Sequence, residues 1–155
     1  MFLLIFCAAI VAQAGITSVP VRAQDKLKII IIVHKDNGAK KADYPQDELK
    51  KIFLKQTTTW KDDSKIVPYQ LSSGTKEASL FRKKVLQKDS KALKKYWNDK
   101  QADDGVSEPL SKKKSSDIFK LICKKKSRIG YINAEYYDGL TEEEQNKIKS
   151  LGSFS

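Results

Sequence analysis

The chain has 155 residues, a net charge of +11, two cysteines and one histidine. That length fits a single domain, and a chain of this size buries enough surface to fold without a disulfide staple. Nearly all the positive charge is lysine, with only Arg22, Arg82 and Arg128 as arginines. Lysine is a hydrated point charge, whereas arginine forks onto phosphates and base edges. The composition therefore excludes sequence-specific nucleic-acid reading and suits a solvated surface or loose attraction to anions.

Residues Phe2 to Val11 form an apolar run with no charge. It is too short to span a bilayer, which takes about 20 apolar residues. Val21-Arg22-Ala23 offers a small-x-small cleavage motif, and Ala12-Gln13-Ala14 a second. The pattern predicts a cleavable signal peptide over 1–23, although no Lys or Arg precedes the apolar run. A hydrophobic N-terminal helix or membrane anchor is the competing reading. Cleavage leaves one soluble, basic α/β domain over 24–155, delivered to a periplasm with no transmembrane segment. Cys7 leaves with the leader. Cys123 is then expected as a small core residue on a helix, with an intermolecular disulfide as the alternative.

Leu27 to His34 (LKIIIIVH) predicts a strand buried on both faces. Lys35 to Asp43 is a polar loop with an Asn37-Gly38 turn. Pro45 suits a first helical turn, Asp47 and Glu48 favour that end of the dipole, and Leu49, Ile52 and Phe53 form one apolar stripe. After a turn at Asp62-Asp63-Ser64, Ile66 to Leu71 predicts a second strand. Ser72-Ser73-Gly74-Thr75 leads into a helix over Lys76 to Gln87, carrying Ala78, Phe81 and Val85. Asp89 or Ser90 caps a third helix with Leu93, Tyr96 and Trp97. Lys100 to Ser115 is expected as a mobile surface loop. Ser115 or Ser116 caps a helix running through Lys125. Arg128 to Asn133 (RIGYIN) predicts a third strand. Thr141 and Glu144 have capping-box spacing, and the last helix is expected to end at Gly152. Strands separated by helices imply a mainly parallel sheet flanked by helices.

The most informative spot is Ser72-Ser73-Gly74-Thr75. The first turn of a helix leaves its N–H groups without intrahelical partners. The helix dipole adds positive potential there. Glycine admits an anion close to the backbone, and the hydroxyls add donors. Ser72, Ser73, Gly74 and Thr75 are the candidate anion-binding residues. The plainer reading is that Ser73 or Thr75 only caps the helix.

The segment Asp47 to Leu86 resembles the periplasmic phosphate-binding proteins of phosphate ABC transporters, and their short stand-alone relatives more closely. The resemblance rests on Ile52-Phe53-Leu54, Thr58-Thr59-Trp60, Ile66-Val67-Pro68 and Ser73-Gly74-Thr75, in the family's order. Ser127 to Asn133 is similar to the family's "GAIGYV" strand, and Tyr96-Trp97 matches a Tyr-Trp of the stand-alone relatives. The likeness runs from about Leu27 to Asn133. It implies the type 2 periplasmic binding protein fold, of which this chain is long enough for one lobe. It also implies that Ser73, Gly74 and Thr75 donate hydrogen bonds to phosphate. Three positions depart from the family pattern. Tyr69 stands where the family has arginine, removing a charge-assisted contact. Leu71 stands where the family has aspartate, removing the acceptor that distinguishes hydrogen phosphate from sulfate. Lys55 replaces the glycine of "IFLGK".

His34 at a strand end is expected to be structural, and no metal cluster is visible. Ser73 and His34 as nucleophile and base lack a G-x-S-x-G elbow. Trp60 and Trp97 are expected in the core rather than stacked on bases. No Walker or dinucleotide loop is present, and no cofactor is implied. Two functions follow. The first is a non-catalytic binding protein for inorganic phosphate or another oxyanion, related to transporter substrate-binding components. The second is a periplasmic interaction module that kept the lobe fold, lost the ligand, and docks an acidic protein, a membrane surface or a cell-wall polymer.

Overall fold

The computed structural model describes residues 27–155; the predicted leader lies outside them. Strand β1 (Ile29–His34) is buried along nearly its whole length, as its isoleucine run requires. A short 3₁₀ turn (Lys41–Asp43) precedes α1 (Gln46–Phe53). Strand β2 (Val67–Leu71) leads into α2 (Lys76–Phe81), which continues as a π-helical turn over Arg82–Leu86. Then come α3 (Ser90–Asp104), β3 (Leu110–Lys112), α4 (Ser115–Ile122) and β4 (Arg128–Asn133). Two short helices, α5 (Ala134–Asp138) and α6 (Glu142–Gln145), precede the final strand β5 (Ile148–Phe154).

The five strands form one sheet in the order β3-β2-β4-β1-β5. β2 pairs parallel with both β3 and β4. β1 pairs antiparallel with both β4 and β5. Four strands therefore share one direction and β1 runs against them. The sheet is mostly parallel and flanked by helices, as the alternation of elements predicts.

β4 shows how the faces divide, because successive side chains of a strand point to opposite sides. Tyr131 stacks on Phe81 at 4.0 Å between ring centroids, and Phe53 meets Phe81 edge-on at 4.7 Å. These rings bring α1 and α2 to one face. Gly130 faces the other side, where a Cβ would stand 2.6 Å from Ile118 Cγ2 of α4. Ile118 is fully buried, so Gly130→Ala forces a packed branched side chain to move. Overpacking of this kind costs about 1–3 kcal/mol. A urea melt is expected to show that loss, and a loss below about 0.5 kcal/mol would contradict the close approach of α4 to β4.

Four parts of the chain differ from the sequence-based expectation. At α4, Lys114 rather than Ser115 or Ser116 holds the cap position, without a side-chain hydrogen bond, and the helix ends at Ile122 rather than Lys125. The helix expected from Thr141 to Gly152 stops at Gln145. Its capping box is present, with Glu144 N–H donating to Thr141 Oγ1 at 3.3 Å and Thr141 N–H to Glu144 Oε2 at 3.0 Å. The chain then becomes β5, because β1 would otherwise expose an unpaired row of backbone donors and acceptors. The expected loop over Lys100 to Ser115 contains the end of α3 and the edge strand β3. α3 ends at Gly105, whose φ of 67° makes a left-handed cap. The helix expected over Lys76 to Gln87 changes to π geometry at Arg82.

Trp60 and Trp97 are buried, as expected. Trp60 packs edge-on against Tyr44 at 5.3 Å, and its Nε1–H is buried without a partner among the described residues. Cys123 lies half-buried at the end of α4, packed against the core. Burial pushes its thiol above the ordinary value, so little reactive thiolate forms at neutral pH. His34 Nδ1 accepts the Asp36 N–H at 3.1 Å, a local structural role. No helix among the described residues is long and apolar enough to cross a membrane.

Candidate functional site

The Ser72-Ser73-Gly74-Thr75 stretch forms the strand-to-helix corner between β2 and α2. Its residues do different jobs. Ser72 is spent on the sheet: its N–H and Oγ both donate to the Lys112 carbonyl, at 2.9 and 3.2 Å. Thr75 is spent on the helix start. Its N–H closes a turn on the Ser72 carbonyl at 3.0 Å, and its Oγ1 accepts the Ala78 N–H at 3.1 Å. The plain capping role thus falls to Thr75. Ser73 and Gly74, the two central residues of the turn, are exposed, and their N–H groups donate to no described residue. A Cβ on Gly74 would meet nothing within 4 Å. Packing does not demand glycine there; its effect is to leave the backbone uncovered.

Ser73 and Gly74 open onto a cavity of about 580 Å³. Arg82 forms part of the same wall, and its Nη1 donates to the Ser73 carbonyl at 3.1 Å. A guanidinium has five N–H donors, so most of the Arg82 fork remains free. The opposite wall is α3, with Leu93, Lys94 and Trp97. Leu71, Phe81 and Tyr131 are also in the lining, and all three are buried. On the β3 side lie Ser111 and Glu108, where Gln70 Nε2 donates to Glu108 Oε2 at 3.1 Å.

Tyr131 is 1% exposed. Burial pushes its phenol well above the ordinary value, against the pull of the Leu71 amide and the Arg82 charge. It is a neutral donor at any physiological pH.

A second cavity, of about 390 Å³, lies beyond the carboxyl ends of β2 and β4. It is chemically more balanced. Lys113 and Lys114 face Glu77 and Glu135. Its polar side chains are largely committed: Asn133 Nδ2 donates to Glu77 Oε1 at 2.7 Å, and Ser115 Oγ accepts the Asn133 N–H at 3.0 Å. The first cavity is the better candidate for holding an anion, since it combines uncommitted donors with two cations.

Of the departures from the family pattern, the two beside the corner are both buried: Tyr69 lies on β2 with the Arg128 guanidinium 5.5 Å from its ring centroid, and Leu71 at the strand end. Neither can replace the lost charge or acceptor. Arg82 is a candidate that short motifs do not reveal, because Arg82-Lys83-Lys84 looks like a solvated face. Its structural mark is the π turn that it opens, a geometry that recurs at functional sites.

No curated protein matches the chain. Solved structures do. A protein of Clostridium perfringens assigned as a phosphate ABC transporter substrate-binding protein, solved with bound phosphate, is 18% identical with a TM-score of 0.56. The match covers 80% of this chain and 44% of that one. An ABC-type phosphate transport receptor from Vibrio cholerae is 16% identical with a TM-score of 0.57, over 80% of this chain and 45% of its own. PstS from Borrelia burgdorferi is 15% identical with a TM-score of 0.60, over 81% and 47%. These likenesses concern the fold, and the chain spans less than half the length of each of these proteins. The family model for the PBP superfamily domain matches residues 25–153, and the chain belongs to that family.

Proposed function

We propose that the chain is an exported, non-catalytic binding protein for phosphate or a related oxyanion, held between the Ser73–Gly74 turn and Arg82. The observation that carries this reading is the Arg82 contact with Ser73. It puts a cation beside the uncovered amides, where Tyr69 supplies none. Charge-assisted hydrogen bonds are roughly twice as strong as neutral ones, so an arginine changes a capped corner into an anion site. Two of the structural neighbours are named as phosphate transport receptors, which favours binding over catalysis. The apolar run and small-x-small motif of residues 1–23 support export to the periplasm.

Leu71 sets the expected selectivity. No side-chain acceptor stands at its position to take the proton of hydrogen phosphate, so phosphate and sulfate should bind alike. The test is a thermal melt in either anion against a sodium chloride control of equal ionic strength. At about 100 times the Kd a ligand stabilises by about 2.7 kcal/mol. Both anions are expected to raise the Tm, by similar amounts at equal concentration. No shift with either would sink the reading and leave the ligand-free interaction module in its place. A strong phosphate preference would show that another group, such as Glu108, takes the proton.

A further inference from the structure

We infer that the cavity takes a small organic phosphate monoester rather than inorganic phosphate alone, an inference that rests on the oxyanion reading and narrows it. Three observations carry it. The first is size. At about 580 Å³ the cavity falls in the range of about 300–1,000 Å³ typical of small-molecule sites. Inorganic phosphate on Arg82 would leave most of that space to water.

The second is the distribution of chemistry. Arg82 and Lys94 supply positive charge from α2 and α3, while Glu108 places a carboxylate on the β3 side. A ligand with two anionic ends would meet repulsion at Glu108. A ligand with one phosphate would not. Beside the cations, Leu93 and Trp97 present apolar surface on the α3 wall. Apolar surface on a cavity wall gains nothing from a bare oxyanion, but it is covered favourably by an organic body.

The third is Tyr131. Its ring is buried, and it lines the cavity as a neutral phenol within reach of the Arg82 charge. An oxygen of a ligand seated between Arg82 and the cavity floor would accept the phenol proton, which a neutral hydroxyl at that place is free to donate.

The experiment is isothermal titration of the protein with inorganic phosphate, phenyl phosphate and phenol. Phenyl phosphate is expected to bind at least tenfold more tightly than inorganic phosphate, with phenol not bound. Leu93→Ser is expected to erase most of that ratio while leaving inorganic phosphate affinity within twofold. Tyr131→Phe is expected to weaken phenyl phosphate severalfold without lowering the urea midpoint, whereas a merely structural hydroxyl would show the reverse. If inorganic phosphate binds and phenyl phosphate binds no better, this inference fails and the oxyanion reading survives. If neither binds, both fail. If phenyl phosphate binds better but Leu93→Ser leaves the ratio intact, the organic body lies elsewhere and the inference is overturned.

Discussion

Phe53→Ala is expected to lose about 3–5 kcal/mol of folding stability, the cost usual for deleting a buried aromatic ring. Phe53 is 1% exposed, and it meets Phe81 at 4.7 Å and Tyr131 at 6.1 Å, both edge-on. The ring ties α1 to α2 and to the middle strand of the sheet at once. Removing it leaves a void that helix termini and strands cannot collapse around without breaking the Phe81–Tyr131 stack. A domain of this size has about 5–15 kcal/mol of stability in total, so the variant should be close to unfolding at physiological temperature. Urea denaturation followed by circular dichroism measures the loss. A change under about 1 kcal/mol would mean that the three rings do not form the shared core. Phe81 and Tyr131 are also part of the candidate cavity, so the variant should bind anions poorly even where it remains folded.

That core was legible in the sequence because its signals are local. The isoleucines of β1, the Leu49–Ile52–Phe53 stripe of α1 and the RIGYIN strand each announce themselves within a few residues. The corner at Ser72–Thr75 was legible for the same reason, since a strand end, small polar residues and a helix start are adjacent. The parts that were not legible owe their structure to distant partners. β5 carries Ile148-Lys149-Ser150-Leu151-Gly152, and its register against β1 shifts between Ile31 and Ile32. That irregularity spoils the alternation that marks a strand, while the capping box at Thr141 advertises a helix that ends after four residues. β3 has a single large apolar residue, Leu110, which is 63% exposed. Only its pairing with β2 makes it a strand. In both cases the backbone hydrogen bonds of a partner strand outweigh local preference.

The same distinction applies to the site. Sequence alone nominated Ser72, Ser73, Gly74 and Thr75 as equals. The structure commits Ser72 and Thr75 to internal hydrogen bonds and leaves Ser73 and Gly74 uncovered. It also brings in groups that no short motif joins: Arg82 nine residues on, Lys94 from α3, and Tyr131 from β4. These come together because α2 packs on β1 and β2, while α3 supplies another wall of the same cavity.

Arg82→Ala is the variant with the largest expected effect on binding. Hydrogen bonds to charged groups contribute about 1.5–3 kcal/mol, which is a roughly ten- to hundredfold loss of oxyanion affinity. Stability should change little, because Arg82 is only half-buried and its one side-chain hydrogen bond among the described residues goes to the exposed Ser73. Arg82→Lys separates charge from geometry. Lysine keeps the positive charge but loses the fork that reaches the Ser73 carbonyl and an anion together. It should recover only part of the lost affinity, and what it recovers should weaken with added salt, since an exposed point charge is screened over about 10 Å at 0.1 M ionic strength. Titration of the wild type and the two variants with phosphate at low and moderate salt decides the matter. Equal affinity in all three would mean that the corner binds through backbone amides alone, or does not bind. Full recovery with lysine would reduce the site to diffuse attraction by a lysine-rich surface, the very property the composition already predicts without any fold.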